Sequence, residues 1–106
     1  MVRRLSRTLR SLLLRSRAGL VLENCRRCNL TNCSILDCAG GGVLMKNVSQ
    51  SRISDCLIRN DLADRGPWLP LKIVGGKGNM VSDNLLGGPL EADPRCARAS
   101  GNLIQP

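Results

Sequence analysis

The fold is decided by the stretch GLVLENCRRCNLTNCSILDC at residues 19–38, which aligns without gaps on GVLMKNVSQSRISDCLIRND at residues 42–61. The aligned pairs are Leu20/Val43, Leu22/Met45, Asn24/Asn47, Leu30/Ile53, Cys33/Cys56 and Ile35/Ile58. Such a repeat governs the whole architecture, because each unit can bury its apolar side only against its neighbours. The offset of 23 residues therefore predicts a stack of similar units.

Further copies of the unit occur along the chain. MVSDNLL at 80–86 repeats it at an offset of 28 residues, and ASGNLI at 99–104 is a partial copy. The equivalent positions are Ile53/Val81/Ala99, Cys56/Asn84/Asn102 and Ile58/Leu86/Ile104. A degenerate earlier copy is formed by Leu9, Leu12 and Leu14. The larger offset predicts an excursion at 61–70, DLADRGPWLP, because the loops of a solenoid enlarge on one side.

Short runs with alternating apolar and polar side chains, rich in Val, Ile and Leu, are typical of strands. At a strand spacing of about 4.8 Å, equivalent side chains of successive units touch and form one interior. We therefore predict an all-β fold, a right-handed parallel β-helix (solenoid) of three to four rungs over residues 18–106. Residues 1–17 are predicted to be a basic segment that forms a degenerate rung or a helical or irregular cap. Asn24 and Asn47 are expected to form a side-chain ladder that fixes the register.

The net charge of +8 is unevenly distributed. Residues 1–18 carry six arginines and no acid, so the remainder of the chain is close to neutral. We therefore do not expect the body of the fold to bind nucleic acid. The apolar run of this basic segment extends only from Leu12 to Leu14. It is shorter than the apolar region of a secretory signal, which needs roughly 7 residues, and than a membrane span, which needs roughly 20. We expect neither in this sequence.

The two quoted stretches resemble the right-handed parallel β-helix repeats of the pectate-lyase-like superfamily, over roughly residues 18–104. The resemblance implies a module that binds polysaccharide, or part of a protein that processes it as a lyase, hydrolase or epimerase. It also implies an extracytoplasmic, secreted location. The chain is far shorter than the enzymes of the superfamily and matches none of their catalytic motifs. We therefore expect a short fragment of such a solenoid that is not catalytic on its own.

The alternative interpretation is a zinc knuckle that binds nucleic acid. Its candidate ligands, at C-x2-C-x4-C-x4-C spacing, are Cys25, Cys28, Cys33 and Cys38. Four thiolates at this spacing could hold Zn²⁺ tetrahedrally, and the neighbouring Arg26 could contact a phosphate backbone. This is the one interpretation that requires a metal cofactor.

The repeat argues against the zinc knuckle. In the next copy the four cysteines are replaced by Val48, Ser51, Cys56 and Asp61, although the apolar pattern around them is kept. A cysteine that exchanges with valine in equivalent units is behaving as a small core residue. Because Cys33 and Cys56 are equivalent, a disulfide between them stays open as a further alternative.

Candidate binding residues come from the second and third copies. Asp55 and Asp83 are equivalent and are predicted to be neighbours, with Arg52, Arg59 and Lys77 close to them in sequence. Two such carboxylates could bind a cation such as Ca²⁺ or act only as a solvated surface. The chain has no histidine, so any acid–base chemistry would fall to carboxylates, Lys or Cys.

Trp68 is the single aromatic residue of the chain. It could stack on a sugar ring or cover an end of the apolar interior. The open ends of a solenoid also favour self-association, because terminal coils leave strand edges unpaired.

Overall fold

The computed structural model describes residues 18–62 and 67–106, and within those ranges it contains strands and turns but no helix. Three parallel sheets have four strands each. Sheet 1 comprises β1 (Ala18–Glu23), β4 (Gly41–Lys46), β7 (Leu71–Val74) and β10 (Glu91–Ala92). Sheet 2 comprises β2 (Asn29–Thr31), β5 (Arg52–Ser54), β8 (Asn79–Ser82) and β11 (Ala97–Ser100). Sheet 3 comprises β3 (Ser34–Leu36), β6 (Leu57–Arg59), β9 (Leu85–Leu86) and β12 (Leu103–Ile104).

Each set of three consecutive strands, with the turns that follow them, makes one coil, and coils 1 to 4 stack in chain order. We call the turn between sheets 1 and 2 corner 1, that between sheets 2 and 3 corner 2, and that between sheet 3 and the next coil corner 3. The predicted all-β parallel solenoid is therefore confirmed. The predicted earlier copy at Leu9, Leu12 and Leu14 and the predicted cap at 1–17 lie outside the described residues.

The register of the strands is the one that the repeat predicts. Leu30 pairs with Ile53, Ile53 with Val81, and Val81 with Ala99 of coil 4. Ile53 and Val81 are completely buried in the core that fills the solenoid. The extra residues of the longest repeat fall between β6 and β7, and the strands above and below stay in register. Residues 63–66 of the predicted excursion lie outside the described residues.

The corners are made by residues with left-handed backbone conformations. These non-glycine residues are Asn24, Arg27, Asn32, Asp37, Asn47, Gln50, Asp55 and Asp83. Asn and Asp tolerate this conformation better than most residues, because their short polar side chains can bond locally. The side chain that follows such a corner residue turns into the interior, as the buried Cys25, Val48, Ser51, Cys56 and Asn84 show.

Asparagine side chains tie the coils together both inside and outside. On the surface, the Asn47 amide donates to Asn24 Oδ1 at 2.8 Å, which confirms the predicted ladder. Inside, Asn84 accepts a hydrogen bond from the Cys56 N–H at 2.9 Å and donates to the Ile53 carbonyl at 3.2 Å. Buried backbone groups at corner 2 are thus satisfied by a side chain of the next coil.

Gly42 lies where two coils approach each other closely. A Cβ atom on Gly42 would overlap Ile58 Cγ2 and the carbonyl oxygen of Pro70, the residue immediately before β7. A side chain therefore has no room at this point of sheet 1.

Candidate functional site

The outer face of sheet 2 brings together several of the predicted site residues. Side chains alternate along its strands, so that in β5 Ile53 enters the core while Arg52 faces outward. The register places Arg52 between Asn29 and Met80 of the adjacent coils. Arg98 continues this outward row in coil 4. The row runs parallel to the solenoid axis.

Five cationic residues lie on this face and at the adjoining corner 1, and we call them the basic edge: Arg26, Arg27, Arg52, Lys77 and Arg98. All are exposed. None of them forms an ion pair within residues 18–62 and 67–106. Each of the four coils contributes at least one, so positive charge extends along the whole described stack.

Backbone contacts at corner 1 determine where these cations lie. Arg26 is bridged to Ser49 in the next coil, and the Lys77 N–H donates to Ser49 Oγ at 3.2 Å. Arg27 has a φ of 56° and its Nε donates to Gln50 Oε1 at 3.4 Å. These contacts hold three coils together at corner 1, and the cations project from the backbone that they position.

A ladder of hydroxyl groups runs beside the basic edge on the same face. The strand register aligns Thr31, Ser54, Ser82 and Ser100, one from each coil. Ser54 Oγ donates to Thr31 Oγ1 at 3.3 Å. Ser54 is buried, whereas Thr31 and Ser100 are exposed and Ser82 is partly exposed. The accessible hydroxyls can both donate and accept hydrogen bonds.

Asp55 and Asp83 are stacked at corner 2, as the repeat predicts, on the opposite side of the hydroxyl ladder from the basic edge. Both are exposed, and the column continues with Gly101 in coil 4, where a Cβ would collide with Asp83 Oδ1. No cluster of three or more Cys, Asp or Glu residues able to hold a metal ion occurs in the described part of the chain. Calcium binding at this pair stays a prediction.

Arg59 is engaged elsewhere, on the outer face of sheet 3. Its guanidinium pairs with Asp61 at 2.9 Å and donates to the Gln105 carbonyl at 2.7 Å, passing over Gly87. The hydrogen bond to Asp61 raises the pKa of the guanidinium. Arg59 thus links coil 2 to coil 4 and does not belong to the face that carries Arg52.

Trp68 lies at corner 3, beside sheet 1. Its indole Nε1 donates to the Cys38 carbonyl at 2.7 Å, and the half-buried ring packs against the core. The ring also lines a cleft on the outer face of sheet 1, next to Leu44 and Lys72. It therefore covers part of the apolar interior, and its stacking on a sugar stays a prediction.

The structure gives no support to the zinc knuckle, because it distributes the four cysteines around coil 1. Each directly follows a corner residue with positive φ, and these corner residues are Asn24, Arg27, Asn32 and Asp37. Cys25 and Cys28 lie within corner 1, whereas Cys33 follows β2 and Cys38 lies beyond the end of β3. One zinc ion requires all its sulfur ligands at about 2.3 Å.

Thiol groups of coil 1 form hydrogen bonds with backbone carbonyls of the same coil. Cys25 Sγ donates to the Glu23 carbonyl at 3.1 Å, and Cys33 Sγ donates to that of Thr31 at 3.4 Å. Burial raises the pKa of Cys56, and it likewise raises that of Cys28. All six cysteines are free thiols, so Cys33 and Cys56 stack without a disulfide.

Three members of the basic edge were not among the residues predicted for a polysaccharide site. Arg26, Arg27 and Arg98 join it because the corner and strand registers bring them to the same side as Arg52. The offsets of the repeat would have aligned Arg98 with Arg52. The position of Arg26 depends on how corner 1 folds, which the sequence pattern does not specify.

Comparison with known proteins supports the fold seen here. Searches of curated proteins and of solved structures gave no match. In the described part of the chain there is no helix with the length and hydropathy needed to span a membrane. A protein-family model described as a right-handed β-helix region matches residues 7–88, which is most of the chain. This match agrees with the three parallel sheets of the structure. The chain therefore belongs to the right-handed β-helix family.

Proposed function

We propose that this chain is a polysaccharide-binding β-helix module that holds a linear acidic glycan along the outer face of sheet 2. The observation that carries the proposal is the basic edge, in which each coil presents an exposed cation without an ion-pair partner in the described residues. A row of such cations attracts a polymer that carries negative charge at regular intervals.

The hydroxyl ladder supports a sugar polymer as the ligand. Ser82 and Ser100 lie in the same row, and both are at least partly exposed. Hydroxyl side chains can exchange hydrogen bonds with the hydroxyl groups of a glycan. A linear ligand along this face would meet a cation at every coil and exposed or partly exposed hydroxyl groups at coils 1, 3 and 4.

The composition of this face favours a glycan over a nucleic acid. Unpaired bases are held chiefly by stacking on aromatic side chains. Trp68 is the single aromatic residue of the chain, and it lies beside sheet 1. The outer face of sheet 2 therefore offers charge and hydroxyl groups but no surface for base stacking.

The proposed activity is binding without turnover. Glycoside cleavage generally depends on two carboxyl groups whose environments give them different pKa values. Asp55 and Asp83 occupy equivalent, exposed corner positions, so their surroundings are similar. This arrangement supports a binding surface more than an acid–base pair.

Isothermal titration calorimetry with polygalacturonate at low salt tests the proposal. We expect binding that weakens as ionic strength rises, because exposed charges are screened. The double variant Arg52→Gln/Lys77→Gln should raise Kd about 2- to 30-fold, since exposed ion pairs contribute about 0.2–1 kcal/mol each. A fully methyl-esterified polymer, which lacks the charges, should not bind measurably.

The matched control is Lys46→Gln/Lys72→Gln, which removes the same charge from sheet 1 and should leave Kd within about twofold of the unmodified chain. Equal losses in the two double variants would show that net charge alone attracts the polymer. Tighter binding to single-stranded DNA than to polygalacturonate would also overturn the proposal.

A further inference from the structure

A cleft of about 540 Å³ lies on the outer face of sheet 1, apart from the face discussed above. Its walls include Leu44 and Val74 of the sheet, with Trp68 on one side and Lys46 and Lys72 within it. This volume is in the range of sites that hold small molecules.

The floor of the cleft combines apolar and basic side chains in a regular pattern. The register places Leu44 beside Lys72 and Lys46 beside Val74, so the two kinds alternate between coils 2 and 3. Val74 is 43% exposed although it is apolar. Outward positions of a solvated sheet are usually polar, so Val74 with the partly exposed Leu44 offers apolar surface that a ligand could cover.

Of the two lysines that line the cleft, one is ion-paired in the described ranges and the other is not. Lys72 is paired with Glu91 at 3.3 Å, at the side toward coil 4. Lys46 forms no ion pair within the described ranges, and it is exposed beside the apolar floor. The cleft therefore offers one available positive charge next to aliphatic and aromatic surface.

We propose that this cleft binds an amphiphilic monocarboxylate, with an aliphatic body against Leu44, Val74 and the Trp68 ring and the carboxylate at Lys46. The apolar contact removes exposed hydrophobic surface from water. The ammonium group of Lys46 supplies the charge complementarity that distinguishes a carboxylate from an uncharged chain of the same length. This site is independent of the polysaccharide proposal.

Trp68 makes the test direct, because its intrinsic fluorescence is the single aromatic signal of the chain. Titration with decanoate below its critical micelle concentration should shift and saturate the Trp68 emission, with one site per chain. Decanol, which lacks the charge, should bind at least fivefold more weakly. Calorimetry of the same titrations gives a readout that does not depend on the indole.

The variant Lys46→Gln should weaken decanoate binding about five- to tenfold and leave decanol unchanged. Lys77→Gln removes an equally exposed lysine at corner 1, and its decanoate affinity should equal that of the unmodified chain. The proposal is overturned if calorimetry detects no decanoate binding, if decanol binds as well as decanoate, or if the two lysine variants behave alike.

Discussion

Replacing Asn84 with alanine should destabilise the solenoid by about 1.5–4.5 kcal/mol. The side chain is 2% exposed and serves two backbone groups of the preceding coil, the Cys56 N–H and the Ile53 carbonyl. Alanine would leave the buried Cys56 N–H without this partner, at about 1–3 kcal/mol, and would remove one hydrogen bond to the Ile53 carbonyl, at about 0.5–1.5 kcal/mol. Domains of this size are stable by about 5–15 kcal/mol, so the loss is a large fraction of the total.

Urea unfolding followed by far-ultraviolet circular dichroism measures this loss. The slope of free energy against urea concentration should stay constant while the midpoint falls. The matched control is Asn47→Gly, which removes the exposed 2.8 Å ladder bond to Asn24 but accommodates the φ of 55°. It should cost less than about 1 kcal/mol. A loss in Asn84→Ala no larger than that of the control would refute the reasoning.

Two further predictions concern packing and titration. Gly42→Ala should cost about 1–3 kcal/mol in urea unfolding, because the added methyl group overlaps atoms of the stack. Gly88→Ala, whose nearest atom would lie at 3.5 Å, should be neutral or stabilising, and equal losses would contradict the packing argument. Hydrogen bonds from Arg95 lower the pKa of Asp93 from 3.8 to about 2, so any stability from this pair is present above pH 3.8 and is lost as pH falls towards 2. In Arg95→Gln the pKa of Asp93, measured by carboxyl NMR titration, should return towards 3.8; an unchanged value would argue against Arg95 as the cause.

The core of the fold could be predicted from the sequence because its side chains recur at fixed offsets. Leu30, Ile53 and Val81 must be apolar to fill one column, so their spacing carries the register directly. The same pattern places the extra residues of the longest repeat between β6 and β7, since the offset changes there while the apolar pattern continues. The apolar pattern thus identifies the buried positions even where the number of residues per coil varies.

The cysteine spacing shows how one pattern can have two physical origins. The four cysteines at knuckle spacing also match a second pattern, in which each cysteine directly follows a residue of positive φ in coil 1. Cys28 follows Arg27, and arginine rarely adopts a positive φ, so the sequence does not reveal a corner at that point. Local spacing cannot separate convergence on one metal ion from distribution around a coil.

The candidate site was only partly predictable. Asp55 and Asp83 are stacked as expected, because they belong to the aligned part of the repeat. Arg59 was expected near them, yet its side chain reaches across Gly87 to coil 4. Such a reach depends on the direction of a long side chain on the surface, and no periodicity encodes it.

The unequal coils have a consequence for ligands that lie along the axis. The repeat takes 23, 28 and then 18 residues, yet each step advances the stack by one strand spacing, about 4.8 Å. Residues added at a corner therefore do not lengthen the stack. The axial distance between equivalent contacts to a bound polymer therefore depends on the number of coils and not on the number of residues. A peptide inserted between β6 and β7 would leave this distance unchanged.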